Sequence, residues 1–309
     1  MTPPKLILKV NASALKESAC MRRLYWIVVS GYKEKLNKND VEYGSAFHEF
    51  VKSMKENPGR YDLAVAAATK RFDVPMEIKP EKVYMNSTHL LQTCMSFWEN
   101  WVTKDQFETV KDAQGKPLVE LKFSYPYYSD DQVEVQLCGT IDDICKHKHG
   151  TYALRDYKTT SVYKTDEYLS AYALSSQLMF YRMVLDYYSR TYPTSLFAEI
   201  NKKDVACMID AVFLRGKSAP VEFKRSEVFI FNRTQMDEFE HLVYKKVMEL
   251  VAIVKENKLP VREGMLNGAC QTVYGHCKFF GACKQPDDVS AQHMLTRFFK
   301  QEPYDPLNH

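Results

Sequence analysis

The stretch GTIDDICKHKHGTYALRDYKTTS, residues 139–161, constrains this chain more than any other. It reads as a hairpin. An apolar run closes on Asp142 and Asp143, a short polar loop ends in Gly150, and a second run carries Asp156, Tyr157 and Lys158. Side chains alternate across a strand, so Leu154, Asp156 and Lys158 share one face while Arg155 and Tyr157 share the other. Setting Asp156 beside Asp142 of the neighbouring strand brings two carboxylates together, which is unfavourable unless a cation lies between them. Hard oxygen ligands suit Mg²⁺ or Mn²⁺. A lysine two residues after the second carboxylate can orient a water or stabilise developing negative charge, and that set of parts suits phosphodiester hydrolysis. On these residues alone, the competing reading is a solvated hairpin with surface salt bridges.

Around the hairpin the pattern changes twice. The first hundred residues read mostly as helix, with Ser13 as a cap for a helix through ALKESACMRRLYWIV, followed by GSAFHEFVKSMKE and STHLLQTCMSFWENWV. From Val119 the runs VELKFSYPYY, QVEVQLCGTIDDI and TYALRDYKT read as strands, and DEYLSAYALSSQLMFYRMVLDYYSR as a long helix. Two more strand-like runs, ACMIDAVFLRG and VEFKRSEVFIFNR, precede a helix starting near Thr234, where Asp237 completes a capping box. The expected fold is α/β: a central mixed β-sheet flanked by helices, in a single domain over 1–309. Within it fall a mainly helical part at 1–110, a catalytic α/β core at 118–232, a C-terminal helix and cysteine segment at 233–290, and a tail at 291–309.

The net charge of +3 is too small to signal nucleic acid by itself, so a basic surface has to come from local clustering. No run approaches membrane-spanning length and the N-terminus lacks the apolar stretch of a secretion signal, so an intracellular, cytoplasmic protein without a membrane partner is expected. In a reducing compartment eight cysteines read as free thiols or metal ligands rather than disulfides.

Taken in order, GTIDDI and LRDYKTT resemble the central motifs of the PD-(D/E)XK nuclease superfamily in its RecB-like branch, whose fold is restriction-endonuclease-like. YGSAFHEF, upstream, resembles that branch's early motif and its metal-binding histidine, here His48. SSQLMFY, downstream, resembles its Q-x-x-x-Y helix, here Gln177 and Tyr181, four residues apart on one helical face. The resemblance implies that His48, Asp142 and Asp156 hold the metal with the backbone carbonyl of Tyr157, that Lys158 serves catalysis, and that Gln177 and Tyr181 position the strand. Asp142 rather than Asp143 falls at the motif position counted from Gly139. Glu120 sits where relatives often carry another acidic residue.

The tail carries Cys270, Cys277 and Cys283, separated by six and five residues, and a closed cysteine site needs a fourth ligand. Cys20 is the candidate. Some RecB-like nucleases, including the AddB type and CRISPR-associated relatives, place one upstream and three C-terminal cysteines around a [4Fe–4S] cluster, and SACMRRLYW resembles their N-terminal motif. The spacing of the first two tail cysteines is wider here than in those relatives. Ligand types alone leave structural Zn²⁺ open, with His276 beside Cys277 as an alternative ligand. Arg22, Arg23 and Tyr25 are the expected DNA contacts.

The function so implied is a Mg²⁺- or Mn²⁺-dependent DNA exonuclease acting on single-stranded ends, with recombination or repair proteins as possible partners. Two rivals stand beside it: a non-catalytic DNA-end-binding or adaptor module of a recombination or CRISPR-like complex, and a structure-specific flap endonuclease. No nucleotide-binding loop is visible, so helicase or ATPase action would need another chain.

Overall fold

A computed structural model of the chain describes residues 5–201, 205–216, 220–272 and 275–307. The chain divides into two compact units. Met1–Lys35, Lys122–Thr140 and Asp237–His309 make the first, and Leu36–Leu121 and Ile141–Met236 the second. Seven strands form a mixed sheet: β1 (Leu6–Val10), β2 (Phe107–Thr109), β3 (Val119–Ser129), β4 (Val133–His147), β5 (Tyr152–Thr160), β6 (Ala206–Phe213) and β7 (Glu222–Arg225). Helices flank it, so the expected α/β class holds.

In the first unit β1 runs parallel to the start of β4, from Leu6↔Val133 to Val10↔Leu137. This strand lies in a region that reads as helical by composition. Its alternation, with Leu8 and Val10 buried and Ile7 exposed, is satisfied by pairing with β4. The helix expected from a Ser13 cap starts instead at Ala12, because Asn11 accepts the Ala14 amide at 2.8 Å. It ends at Glu17, where the Ser18 hydroxyl donates to the Leu15 carbonyl and Cys20 turns extended. The chain resumes as a short turn of helix, Met21–Leu24, and a π-helical turn at Tyr25–Val29. Trp26 packs on Phe279, and Phe279 on Phe299, with ring centroids 5.2 and 4.7 Å apart. Phe299–Gln301 pairs antiparallel with Tyr32–Glu34. Gly31, at φ +70°, has to be glycine, since a Cβ there would lie 2.1 Å from the Glu302 carbonyl oxygen.

The second unit holds helices α1 (Asn39–Glu56), α2 (Tyr61–Phe72), α3 (Ser87–Asn100) and α4 (Ser176–Thr191). Tyr43, Phe47 and Phe50 of α1 pack with Phe72, Leu90 and Phe97 against Tyr157 of β5 and Val212 of β6. Each fully buried phenylalanine here is worth roughly 2–3 kcal/mol of apolar transfer. β5 and β6 run parallel from Ala153↔Ala206 to Thr160↔Phe213, and every residue of β6 is buried. That explains its near-continuous apolar sequence, since a central strand covered on both faces has no polar side to show. The end of β4 pairs antiparallel with β5 and with β2, and β7 closes on β6. At the helix Arg233–Glu256 the capping box is Asn232 with Gln235 rather than Thr234 with Asp237: each side chain accepts the other's backbone N–H at 3.0 Å. Among the described residues, no helix is long and apolar enough to cross a membrane.

Candidate metal centre and cysteine group

The candidate metal centre is built from three strands and two helices of the second unit. In α1 the buried face is spent on Tyr43, Phe47 and Phe50, which leaves His48 half-buried on the flank facing β5. Gly44, one turn earlier, lets the helix come close: a Cβ there would sit 3.2 Å from Thr159 Oγ1. The buried Asn39 holds the start of the helix, donating to the Lys82 carbonyl at 2.7 Å and accepting the Lys79 amide at 3.2 Å.

Asp142 and Asp143, adjacent in β4, point to opposite faces. The β4–β5 ladder is regular up to Asp143↔Arg155. Beyond it the Tyr157 amide donates to Asp142 Oδ2 at 2.9 Å, so the carboxylate takes the place of a ladder partner. His48 Nδ1 lies 3.1 Å from Glu120 Oε1 and 3.5 Å from Asp142 Oδ2, and His48 Nε2 lies 2.9 Å from the Tyr157 carbonyl oxygen. Both ring nitrogens thus face acceptors, which only the imidazolium can satisfy by donating twice. Burial alone would lower the pKa of His48, but Asp142 and Glu120 override it and push it up to about 9. Burial pushes the Asp142 carboxyl the other way from an ordinary acid, up to about 7; His48 opposes the rise, while Asp156 and Glu120 add to it.

Glu120 reaches this group through an unusual backbone. Its φ is +46°, in the left-handed region that non-glycine residues rarely occupy. Sequence gives its residue type and a strand assignment but carries no sign of that twist. Among the described residues, His48, Glu120 and Asp142 form a group whose ligand atoms lie within 4.8 Å of one another.

The remaining expected residues form a second, connected set. Asp156 is fully buried, and its Oδ1 accepts from Lys158 Nζ at 2.9 Å and from Gln177 Nε2 at 2.8 Å. Gln177 also donates to the Tyr181 hydroxyl at 2.8 Å. Ser175 caps α4 by accepting the Leu178 amide, which fixes Gln177 in the first turn and Tyr181 one turn on. Burial works against the charge on Lys158, but Asp156 and Asp142 outweigh it, so its pKa is raised and it stays cationic. The structure therefore brings all of His48, Glu120, Asp142, Asp156, Tyr157, Lys158, Gln177 and Tyr181 into one unit, in two hydrogen-bonded groups joined along β5, where Tyr157 of the first lies between Asp156 and Lys158 of the second.

The other face of the same strands carries a network that sequence reading missed. Arg155 is 1% exposed; its Nε and Nη2 donate to Asp143 Oδ2 at 2.9 and 2.6 Å, and its Nη1 bonds Asp105 and Asp210. Arg225 grips both oxygens of Asp210 and donates to Asp105 at 3.0 Å, and the Tyr157 hydroxyl donates to Asp143 at 3.2 Å. Asp143 thereby belongs to the buried ion network, and Asp142 is the aspartate of the pair that lies beside His48.

The four candidate cysteines all belong to the first unit. Cys277 donates its amide to the Cys270 carbonyl at 2.9 Å, and a Cβ on Gly264 would lie 2.9 Å from Cys270 Sγ. Burial pushes the Cys283 thiol up to about 11, with Cys20, Cys277 and Cys270 adding to the rise against the charge of Arg22. Cys270 is raised by burial and by Cys20 and Cys277. Arg22 is buried, its Nε donating to the Pro260 carbonyl at 2.5 Å and its guanidinium 5.7 Å from the Trp26 ring. Its Nη1 is buried and has no hydrogen-bond partner among the described residues. Arg23 and Tyr25 are half-buried, and Arg23 pairs with Glu17. His276 stacks on Phe280 with ring centroids 4.2 Å apart.

A mixed sheet that presents a histidine, several carboxylates and a lysine at one place has the architecture of a metal-dependent nuclease. The model of the PD-(D/E)XK nuclease superfamily matches residues 10–284, and the chain belongs to that superfamily. Its members are nucleases that use divalent metals and act on DNA. No curated protein matches the chain. A solved structure described as "Crystal structure of SSO0001" is similar over 76% of this chain and 84% of that one, at 12% identity and a TM-score of 0.25.

Proposed function

We propose that this chain is a DNA exonuclease that acts on single-stranded ends with Mg²⁺ or Mn²⁺. The observation that carries the reading is the convergence of His48, Glu120 and Asp142 beside the connected set of Asp156, Lys158, Gln177 and Tyr181. The donor set of one imidazole and hard carboxylate oxygens fits a divalent cation, and the buried, mutually repelling acids gain from one. His48, on giving up a ring proton, would hold it with Glu120, Asp142, Asp156 and the Tyr157 carbonyl; such an ion supplies an acidified water and neutralises charge on the phosphodiester. Lys158, kept cationic by its acidic neighbours, stabilises the negative charge that builds on the phosphate. Gln177 orients Lys158 and Asp156, and with Tyr181 it positions the scissile strand.

We further propose that Cys20, Cys270, Cys277 and Cys283 hold a [4Fe–4S] cluster. The support lies in the placement of all four cysteines in the first unit, with the Cys277 amide bonded to Cys270, and in the buried Nη1 of Arg22, which has no hydrogen-bond partner among the described residues and suits a net-anionic thiolate cluster. Arg23 and Tyr25, on the same turn, are the proposed contacts to the strand.

Digestion of 5′- and 3′-end-labelled single-stranded DNA and of a closed single-stranded circle tests the activity. The expected result is metal-dependent shortening of the linear strand, loss of that shortening in Lys158→Ala, and an intact circle. Cutting of the circle makes the protein an endonuclease, and no cutting by folded wild type with either metal makes it a binding module. Iron and acid-labile sulfide in anaerobically purified protein test the cluster, and stoichiometric zinc without iron overturns it.

A further inference from the structure

We propose that Tyr163 and Arg215 form a stacking platform for an unpaired nucleobase of the substrate strand. The proposal rests on the nuclease reading above and adds a binding site to it. Both residues lie just past the carboxyl ends of the parallel strands β5 and β6, the side on which open α/β sheets present their ligand sites. The strands stay in register to Thr160↔Phe213, and the Leu214 amide donates to the Thr160 carbonyl at 2.7 Å. There the chains leave the sheet and the Arg215 guanidinium lies over two rings. Phe213 is fully buried; the Arg215 guanidinium lies 5.1 Å from its ring centroid and 5.5 Å from that of Tyr163; Tyr163 is 77% exposed.

This ring is not carried on a loose loop. Arg215 Nη1 donates to the Val162 and Tyr163 carbonyls at 2.9 and 3.1 Å, and Nη2 donates to Glu222 at 2.5 Å. The Val162 amide in turn donates to Thr160 Oγ1 at 3.2 Å. A guanidinium tied by three hydrogen bonds fixes the backbone on which the tyrosine rides, so little ordering entropy remains to oppose stacking. Holding a large ring in water forgoes the gain from covering it, which a flat π-face recovers.

The platform is joined to the catalytic group. The rings of Tyr168 and Phe213 meet edge-on at 5.7 Å, and the Tyr168 hydroxyl bonds that of Tyr172 at 2.9 Å. Thr160 is two residues from Lys158 on the same strand. Phe213 is the register partner of Thr160, so the platform begins two residues along the strand from Lys158. Only an unpaired base offers its face to an exposed ring, and stacking is tolerant of base identity.

The test uses fluorescence anisotropy in a Lys158→Ala background, which binds without cutting, with a single-stranded oligonucleotide and the matching blunt duplex. Tyr163→Ala is expected to weaken single-strand binding about tenfold. Tyr163→Phe and Tyr163→Trp restore it, and duplex binding is unchanged. In the wild-type background Tyr163→Ala raises KM for the single strand by a similar factor with kcat retained. Single-strand binding by Tyr163→Ala equal to its parent, or no rescue by an aromatic replacement, overturns the platform while leaving the nuclease reading intact. If wild type neither binds nor cuts DNA, the nuclease reading itself fails and the platform with it.

Discussion

Successive side chains of a strand point to opposite faces, and in β4 this gives two neighbouring aspartates opposite thermodynamic roles. Asp143 neutralises a fully buried guanidinium, and removing one partner of such a pair typically costs several kcal/mol. Asp143→Asn is therefore expected to destabilise the metal-free protein by about 3 kcal/mol in urea unfolding. Asp142 instead ionises only against burial and the charges of Asp156 and Glu120. Asp142→Asn keeps an acceptor for the Tyr157 amide and should leave the metal-free protein within about 1 kcal/mol of wild type, or above it, while abolishing nuclease activity. Glu120 makes a comparable contrast through its backbone. At φ +46° glycine is at ease and alanine is not, so Glu120→Gly should exceed Glu120→Ala in stability by about 1 kcal/mol. Mn²⁺ titration should show both losing affinity equally, because both lack the carboxylate.

Elements position these residues, and two of them can be tested as such. Helix α1 approaches β5 at Gly44, where a Cβ meets Thr159 Oγ1 at 3.2 Å. Gly44→Ala asks a few tenths of an ångström of a hydroxyl and gains helix propensity, so its melting temperature should stay close to wild type. Gly44→Leu pushes the helix off the strand and moves His48 with it; Mn²⁺ affinity is expected to fall at least tenfold in a protein whose circular dichroism is unchanged. Behind the sheet, Asp105 links Arg155 of β5 to Arg225 of β7. Burial would raise its pKa, but the two guanidiniums hold the carboxyl below its ordinary value. A depressed acid contributes its stability above the ordinary carboxylate range and loses it as pH falls through the folded-state value. Acid unfolding should therefore begin at higher pH in Asp105→Asn, which lacks the network's ionised member, and its stability between pH 5 and pH 3 should depend less on pH.

Across the whole molecule the two candidate ligand sets fall in different units, the histidine–carboxylate group in one and the cysteines in the other. Cys283→Ser is accordingly expected to lower iron content and melting temperature together while leaving the Mn²⁺ titration of the His48 group unchanged; a lost Mn²⁺ site would show that the two sets are coupled. The chain order of the units explains what was legible. The hairpin, the helix of His48 and the helix of Gln177 and Tyr181 are local patterns of two or four residues, and the structure places all of them in the second unit. The box of the helix Arg233–Glu256 falls on Asn232 and Gln235, two residues before the expected Thr234 and Asp237, because both pairs fit the pattern and where the chain enters the helix decides between them. β1 was missed because a five-residue strand gains its stability from β4 rather than from its own propensity.

The sequence by itself determined which residue types share a face, Asp156 with Lys158 on a strand and Gln177 with Tyr181 on a helix, because strand and helix periods fix it. Only the tertiary structure decided that Glu120 turns toward His48 and Asp142, that Asp143 belongs to Arg155, and that Arg215 lies over both Phe213 and Tyr163. Those three outcomes join residues far apart in the chain, and their partners are set by sheet register and by burial, where an unpaired charge or a misplaced ring costs too much to be left to local preference.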